Sequence, residues 1–511
     1  MAERRKPGLL MRLPLSLMIW GVASLSMWLP AIHAEIRKNH PVAQSFFFAG
    51  LLGLVGVTLI ALALGGDRRS RHGSLGQLLT LLTTFAALPV FLALPFYEAL
   101  QTTSYLNAYF DMVSALTTTG ANLFDDPSRL DGALHLWRAQ VGWMGGLVMW
   151  IAASAILAPL SLGGFEITAR GQPGRAAPQP DKSAGVDPRR RLLRITAALT
   201  PVYAGLTMIA WVVLLIAGES GLTGLCHAMS VMATSGISPV GGMAGAQGGI
   251  ASEAILFLFM FFALSRLTFS SDTATVRRAS LMSDPEFKTG LLLILGIPLL
   301  LFLRHWLAAL EVSSDADPLL AFQALWGALF TVTSFLTTTG FQSVYWDEAG
   351  QWSGLTTPGL ILLGLAMIGG GVATTAGGVK LLRVYALYLN GLREMERLVH
   401  PSSVSGAGRN NRRIQKNGAF IAWVFFMMFA LTLTLVCVIL SALGLSFDQA
   451  IVLSIAALST TGPLIDVAAD TPIRLAELGG WAKGVLCATM VLGRLETLAI
   501  IALITPDLWR N

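Results

Sequence analysis

The sequence predicts an all-α polytopic membrane protein: two extra N-terminal transmembrane helices, then four tandem helix–half-helix–turn–helix repeats. Three observations predict it. First, 54% of the 511 residues are hydrophobic and 13% charged, with a mean hydropathy of +0.65. That leaves almost no polar surface to show to water. Second, apolar runs of about 20 residues recur, long enough to cross a bilayer as helices. Third, a short hydroxyl-rich motif ending in glycine returns four times between those runs.

The apolar runs place ten spans at roughly 8–33, 43–65, 76–98, 135–160, 193–217, 251–270, 289–309, 356–376, 418–443 and 481–504. An even number puts both termini on one side. Charge says which side. Lys and Arg gather in alternate connections: Arg68, Arg69 and Arg71, then Arg170 to Arg194, Arg266 to Lys288, and Lys380 to Lys416. The other connections carry Asp125, Asp126, Asp131, Glu311, Asp315, Asp317, Asp347, Glu348, Asp466 and Asp470. The basic connections are therefore cytoplasmic, and so are both termini. Arg37 and Lys38 are the exception. Arg4, Arg5 and Lys6 precede an apolar stretch that loosely resembles a secretory signal, but it is long for one, and a retained first helix is expected. The net charge of +6, spread this way, points to membrane topology and excludes nucleic acid as a partner.

The expected organisation is an N-terminal two-helix region (1–72), repeat one (73–170), a cytoplasmic linker (171–191), repeat two (192–288), repeat three (289–390), a basic cytoplasmic loop (391–417) and repeat four (418–511). The linker, with its mixed Gly, Pro and Arg, reads as flexible. The first half of 391–417 has the character of a surface helix, and its charges attract anionic lipid. Cys226, Cys437 and Cys487 lie in apolar surroundings without metal-like spacing, so they read as small buried hydrophobes.

The recurring motif is FDMVSALTTTGANLF (110–124), LCHAMSVMATSGISPV (225–240), LFTVTSFLTTTGFQSV (329–344) and LSIAALSTTGPLIDV (453–467). The copies align on Gly120, Gly236, Gly340 and Gly462. Two residues earlier stands Thr118, Thr234, Thr338 or Thr460. Four earlier stands Leu116, Met232, Leu336 or Leu458. Six earlier stands Ser114, Ser230 or Ser334, with Ala456 breaking the series. One copy alone is an ordinary helix C-terminus with glycine at C′. Four copies, all on the external side, are a device.

A half-helix of about ten residues rises only about 15 Å, half the hydrocarbon core. The chain must then turn inside the membrane, where unpaired carbonyls cost several kcal/mol each unless something satisfies them. A dehydrated cation does so when several carbonyls converge on it, as in a potassium-type filter. The negative C-terminal ends of the half-helices favour the same cation. The expected filter residues are Thr117, Thr118, Thr119 and Gly120; Thr234, Ser235 and Gly236; Thr337, Thr338, Thr339 and Gly340; and Thr460, Thr461 and Gly462.

With these residues the chain resembles the Trk/Ktr/HKT superfamily of potassium transporters, most of all the pore subunit of the bacterial Trk system. The resemblance covers nearly the whole chain. FDMVSALTTTGAN, WRAQVGWMGGLVMW (137–150), ALFTVTSFLTTTGF, GGGVATTAGGVKLLR (369–383) and VLGRLE (491–496) carry it. It implies four repeats around one central pore. It also implies K+ as the transported ion with no bound organic cofactor in this chain, an inner-membrane location, a homodimer, and a cytoplasmic NAD- or nucleotide-binding regulatory subunit.

GGGVATTAGGVK is too glycine-rich for an ordinary helix, since each glycine costs about 1 kcal/mol against alanine. A glycine seam for helix packing is the ordinary reading. The resemblance implies instead a gate beneath the filter, built from Gly370, Gly371, Thr374, Thr375, Gly377 and Gly378. Lys380, just after it, belongs to the gate or to the cytoplasmic mouth. Arg494, inside the last span, either pairs with Glu496 or lines the pore as a positive charge that limits flux; the match of VLGRLE favours the pore. Asp111 reads as an anchor of the first half-helix, His227 as a hydrogen-bonded structural residue, and Trp137, Trp143 and Trp150 as packing between helices or interface markers.

Ala233 in the second filter and Pro463 after the fourth make the filter uneven, and FMFFALSRLTFSSD lacks the glycine expected in the second helix of repeat two. Unevenness predicts less sharp discrimination between potassium and sodium. It keeps a sodium-permeable or proton-coupled cation symporter as the alternative. A multipass enzyme would need acids, histidines or nucleophiles clustered near the polar turns, which hold threonines and glycines instead; no Walker loop or nucleophile elbow is present.

Overall fold

The computed structural model describes residues 14–64, 74–158, 164, 188–265, 284–309, 318–355, 357–400, 418–469 and 471–496. The basic N-terminal tail, nearly all of the 171–191 linker, residues 401–417 and the end of the last span lie outside the described residues. Among the described residues every regular element is helical.

The N-terminal pair is α1 (Leu15–Ser26) continuing almost directly into α2 (Trp28–Ile36), packed against α3 (His40–Leu64). Repeat one is α4 (Ser74–Leu100), half-helix α5 (Tyr105–Leu116) and α6 (Gly132–Ala152). Repeat two is α7 (Pro188–Ile216), α8 (Gly221–Ala233) and α9 (Gly249–Met260). Repeat three is α10 (Pro285–Ala309), α11 (Pro318–Leu336), a short α12 (Trp346–Ser353), α13 (Gly359–Ile368) and α14 (Leu381–Val399). Repeat four is α15 (Gly418–Ala442), α16 (Phe447–Leu458), a short α17 (Leu464–Ala468) and α18 (Gly480–Leu495).

The half-helices start where capping chemistry allows. Ser104 accepts from Asn107 N, and Ser220 accepts from Thr223 N. Ser446 forms a reciprocal capping box with Gln449. In α4, Pro89 and Pro95 interrupt the backbone ladder. Carbonyls near them are taken up by the half-helix and its neighbour: Tyr105 Oη donates to Val90 O, Tyr109 Oη to Ala86 O at 3.1 Å and Trp137 Nε1 to Leu92 O at 3.2 Å. The two tyrosine bonds seat α5 against α4, and the tryptophan bond ties α6 to the same helix.

Eight described helices are long and apolar enough to cross a membrane, and the protein is a multi-pass membrane protein. Seven of them overlap expected spans; the eighth is α11. The half-helix of repeat three is thus 19 residues long, against 12 or 13 in the others. The sequence PLLAFQALWG extends it upstream without a break. Its first turn is exposed (Leu319 62%) and it is buried from Gly327 on apart from Leu329. The expected spans at 251–270, 356–376 and 481–504 appear as shorter apolar or partly described helices. The span at 356–376 stops at Gly369 because the glycine-rich segment leaves the helix. The following helix α14 runs to Val399, past the boundary expected at 391.

Candidate functional site

Each half-helix ends in the same backbone device. In all four repeats the amide one residue before the glycine donates to the carbonyl six residues before the glycine: Thr119 N to Ser114 O, Ser235 N to Ser230 O, Thr339 N to Ser334 O and Thr461 N to Ala456 O, at 2.8–3.0 Å. Ala456 does this as well as serine because the acceptor is backbone, so the break in the serine series leaves this bond intact.

The recurring threonine has a role its side chain does not reveal. Thr118, Thr234, Thr338 and Thr460 have φ of 57°, 52°, 56° and 54°, a left-handed conformation that is a genuine outlier for a β-branched residue. In repeats one and four the residue before it is right-handed (Thr117 φ −74°, Ser459 φ −81°). Alternating hand turns successive carbonyls toward one side. Such strain costs of order 1–3 kcal/mol per residue and persists only where the surroundings enforce it. Here it occurs four times at one register position.

The four turns close into a ring. A Cβ on Gly120 would stand 1.7 Å from Ser235 O, and one on Gly236 would stand 2.4 Å from Thr339 O. One on Gly340 would meet the Pro463 ring at 2.9 Å, and one on Gly462 would be 2.2 Å from Ala121 N. Strand one touches two, two touches three, three touches four, and four returns to one, where Gly462 N donates to Thr119 O at 2.6 Å. No side chain fits at these contacts. All the expected filter residues are buried except the half-buried Gly236.

The hydroxyls divide. Thr117 and Thr337 turn back to Val113 O and Thr333 O at 2.7 and 2.9 Å, closing their own helices. Thr119 and Thr339 pair with those same hydroxyls. Thr234 Oγ1 donates to Ala233 O at 2.7 Å. Among the described residues, the buried Thr118 and Thr460 hydroxyls have no hydrogen-bond partner. Unsatisfied oxygens at a converging backbone ring suit a cation cargo stripped of water.

Beneath the ring lies the loop from Gly369 to Lys380, with φ of 72° at Gly369, 57° at Ala373, 77° at Gly378 and 86° at Lys380. It crosses itself where a Cβ on Gly378 would stand 2.7 Å from Gly369 Cα. It is held from several repeats. Gly377 N donates to Thr338 Oγ1 at 2.7 Å, Thr375 Oγ1 donates to Met232 O at 3.2 Å, and Gly371 N donates to Ala263 O at 2.9 Å. Gly370 packs against Ala376 and the Ala263 carbonyl, and Thr374 Oγ1 closes on Gly371 O at 2.7 Å.

The cations near the loop bond its backbone carbonyls. Lys380 is buried, not at an open mouth, and its Nζ donates to Ala376 O. Arg494 does not pair with Glu496: its Nη1 donates to Thr375 O at 2.6 Å. Glu496 pairs with Arg383 at 2.6 Å, and the Arg383 guanidinium also lies 3.7 Å from the Phe425 ring centroid. Sequence reasoning missed Arg383, which looked like one more base of a cytoplasmic segment. It also missed Glu286, whose Oε1 accepts from Val372 N at 2.9 Å, and Glu253, whose carboxylate accepts from Trp326 Nε1, Ser343 Oγ and Val344 N at 2.7–2.8 Å. A lone acid at the head of an apolar run was the signal for Glu253, whereas Glu286, between Asp284 and Lys288, gave none.

Asp466 follows the fourth turn, in α17. Solvent reaches it, yet protein crowds it. That desolvation, helped by the charge of Asp125, pushes its carboxyl up to about 6.

The geometry matches one known family. The TrkH family model, described as a cation transport protein, matches residues 77–509. The chain belongs to the TrkH family. It is 30% identical to the Trk system potassium uptake protein TrkH of Salmonella typhimurium over 494 residues, covering 95% of this chain and 96% of the relative. It is 30% identical to the TrkH of Halomonas elongata over 452 residues, covering 87% of each. The crystal structure of the potassium transporter TrkH from Vibrio parahaemolyticus superposes with a TM-score of 0.78 at 26% identity, covering 98% of this chain and 99% of that one. All-helical architecture in four repeats, read from the sequence, is the architecture of this TrkH-family member.

Proposed function

We propose that this chain is the potassium-conducting pore subunit of a Trk-type uptake system in the inner membrane, with both termini cytoplasmic. The observation that carries the reading is the ring of four left-handed threonines, one from each repeat, closed strand to strand. Thr118, Thr234, Thr338 and Thr460 turn the backbone so that carbonyls replace a cation's water shell. Gly120, Gly236, Gly340 and Gly462 permit the close approach. The loop containing Gly370, Gly371, Thr374, Thr375, Gly377 and Gly378 is the gate, held by Lys380 and Arg494. The names of the relatives, Trk system potassium uptake proteins, supply the ion.

The activity is transport, not catalysis. The chain works as a homodimer in lipid with a cytoplasmic nucleotide-binding regulatory subunit. K+ is cargo, and no organic cofactor belongs to this chain. The test is growth of a bacterial strain lacking its own potassium uptake, at limiting potassium, with this chain expressed alone or beside its regulatory subunit. Growth rescued in either arm supports the reading. Normal membrane levels with no rescue in both arms contradict it.

A further inference from the structure

The four repeats share one more register, nine residues before the filter glycine: Asp111, His227, Thr331 and Leu453. All four side chains are buried (0–1% exposed). After the glycine the chain climbs back alongside its own half-helix, so the second or third residue beyond the glycine comes level with this position. In three repeats a polar tie joins the two, by three different chemistries.

In repeat two, His227 Nε2 and Ser238 Oγ lie 2.9 Å apart, and the imidazole also meets the Phe341 ring of the next filter edge-on at 5.3 Å. In repeat three, Ser343 N donates to Thr331 Oγ1 at 3.1 Å, and Ser343 Oγ donates to Glu253 at 2.8 Å. In repeat one the tie runs through a third residue: Asp111 pairs with Arg138 at 3.0 Å, and Arg138 Nη2 reaches Asn122 Oδ1 at 3.5 Å. In repeat four, Leu453 has no polar atom, and its exit strand starts with Pro463, whose φ is fixed at −60°.

We propose that the residue nine before the filter glycine is a positioning residue for ion discrimination, fixing the outer end of its filter strand in repeats one to three. A strand anchored only at its half-helix end is free to move inward around a smaller ion. A strand tied at both ends holds the carbonyl ring at the larger ion's size. This rests on the filter reading above and adds which residues set the ring's stiffness. It also explains how an uneven filter keeps its shape: repeat four takes its rigidity from proline instead of a polar tie.

The test is rubidium uptake by the full chain in proteoliposomes, with its regulatory subunit where uptake needs it, and potassium and sodium as competitors. Thr331→Val keeps shape and removes the acceptor. Ser238→Ala removes the repeat-two tie from the half-buried exit strand, leaving the half-helix untouched should a core variant fail to fold. Each is expected to strengthen sodium competition relative to potassium about three- to tenfold, the weight of one lost buried hydrogen bond. Thr331→Ser restores the native ratio, and Leu453→Met, a volume-conserving change with no tie to lose, leaves it unchanged. Native ratios in both Thr331→Val and Ser238→Ala, while Gly340→Ser alters discrimination, overturn the positioning role and leave the filter standing. A native ratio in Gly340→Ser as well overturns the filter reading itself.

Discussion

Arg494 Nη1 donates to the carbonyl oxygen of Thr375 at 2.6 Å, so a cation on the last helix holds the loop beneath the filter. Lys380, on the loop's own exit, bonds Ala376 O. Two positive charges therefore stand at the loop below the ring, each bonded to a loop carbonyl. Replacing Arg494 by Gln removes the charge and weakens a charge-assisted hydrogen bond worth roughly 1.5–3 kcal/mol. The expected outcome is an initial rubidium uptake rate about tenfold higher, measured in proteoliposomes at matched protein. An unchanged or lower rate in well-assembled protein contradicts the gating role.

Arg383 and Glu496 form a buried pair at 2.6 Å, linking α14 to the end of α18. Arg383→Met leaves the carboxylate buried without its charged partner, a change that typically destabilises by about 3–5 kcal/mol. Thermal unfolding in detergent is expected to move to clearly lower temperature. The double variant Arg383→Met with Glu496→Met recovers most of the loss. Equal losses in the single and double variants contradict the pairing.

Two inner helices approach the half-helix ends through glycine. A Cβ on Gly145 would stand 1.9 Å from Leu116 O, and one on Gly493 would stand 2.2 Å from Leu458 O. Backbone cannot yield cheaply there. Gly145→Ala is expected to reduce the amount of assembled protein in size-exclusion chromatography several-fold. Gly56→Ala, which meets nothing within 4 Å, serves as the control and elutes as the native protein does.

Asp466 predicts a pH response at the external mouth. Its carboxyl, raised to about 6 chiefly by the protein crowding around it and then by Asp125, is ionised above that value and neutral below it. Acidification through pH 6 removes a negative charge from the entrance, so the KM for external potassium rises as pH falls from about 7 to about 5. Asp466→Asn is expected to show the high KM throughout and no response in that window. A response of native size in the variant assigns it to another group.

Much of this was legible in the sequence because repetition multiplies weak signals. One Thr-Thr-Thr-Gly is an ordinary helix end; four in register located the ring. Glycine content alone showed that 369–378 leaves the helix. Other features depended on tertiary neighbours. The threonine two before each glycine was visible as a repeat, but its left-handed φ was not, because β-branched residues rarely adopt it. The partner of Arg494 was misleading in the chain: Glu496 stands two residues away, yet it meets Arg383 from 113 residues upstream. The extra length of α11 escaped because the motif was read from Leu329 on, and the PLLAFQALWG before it carries none of the hydroxyls that mark the repeat.

The central claim is that four converging turns discriminate among cations, and rubidium uptake into proteoliposomes with competing potassium and sodium tests it most directly. Native protein should show uptake blocked by potassium and spared by sodium. In Gly340→Ser, whose φ of +85° and contact with Pro463 exclude a side chain, uptake should fall and sodium should compete nearly as well as potassium. Equal competition by the two ions in the native protein, or an unaltered ratio in the variant, would contradict it.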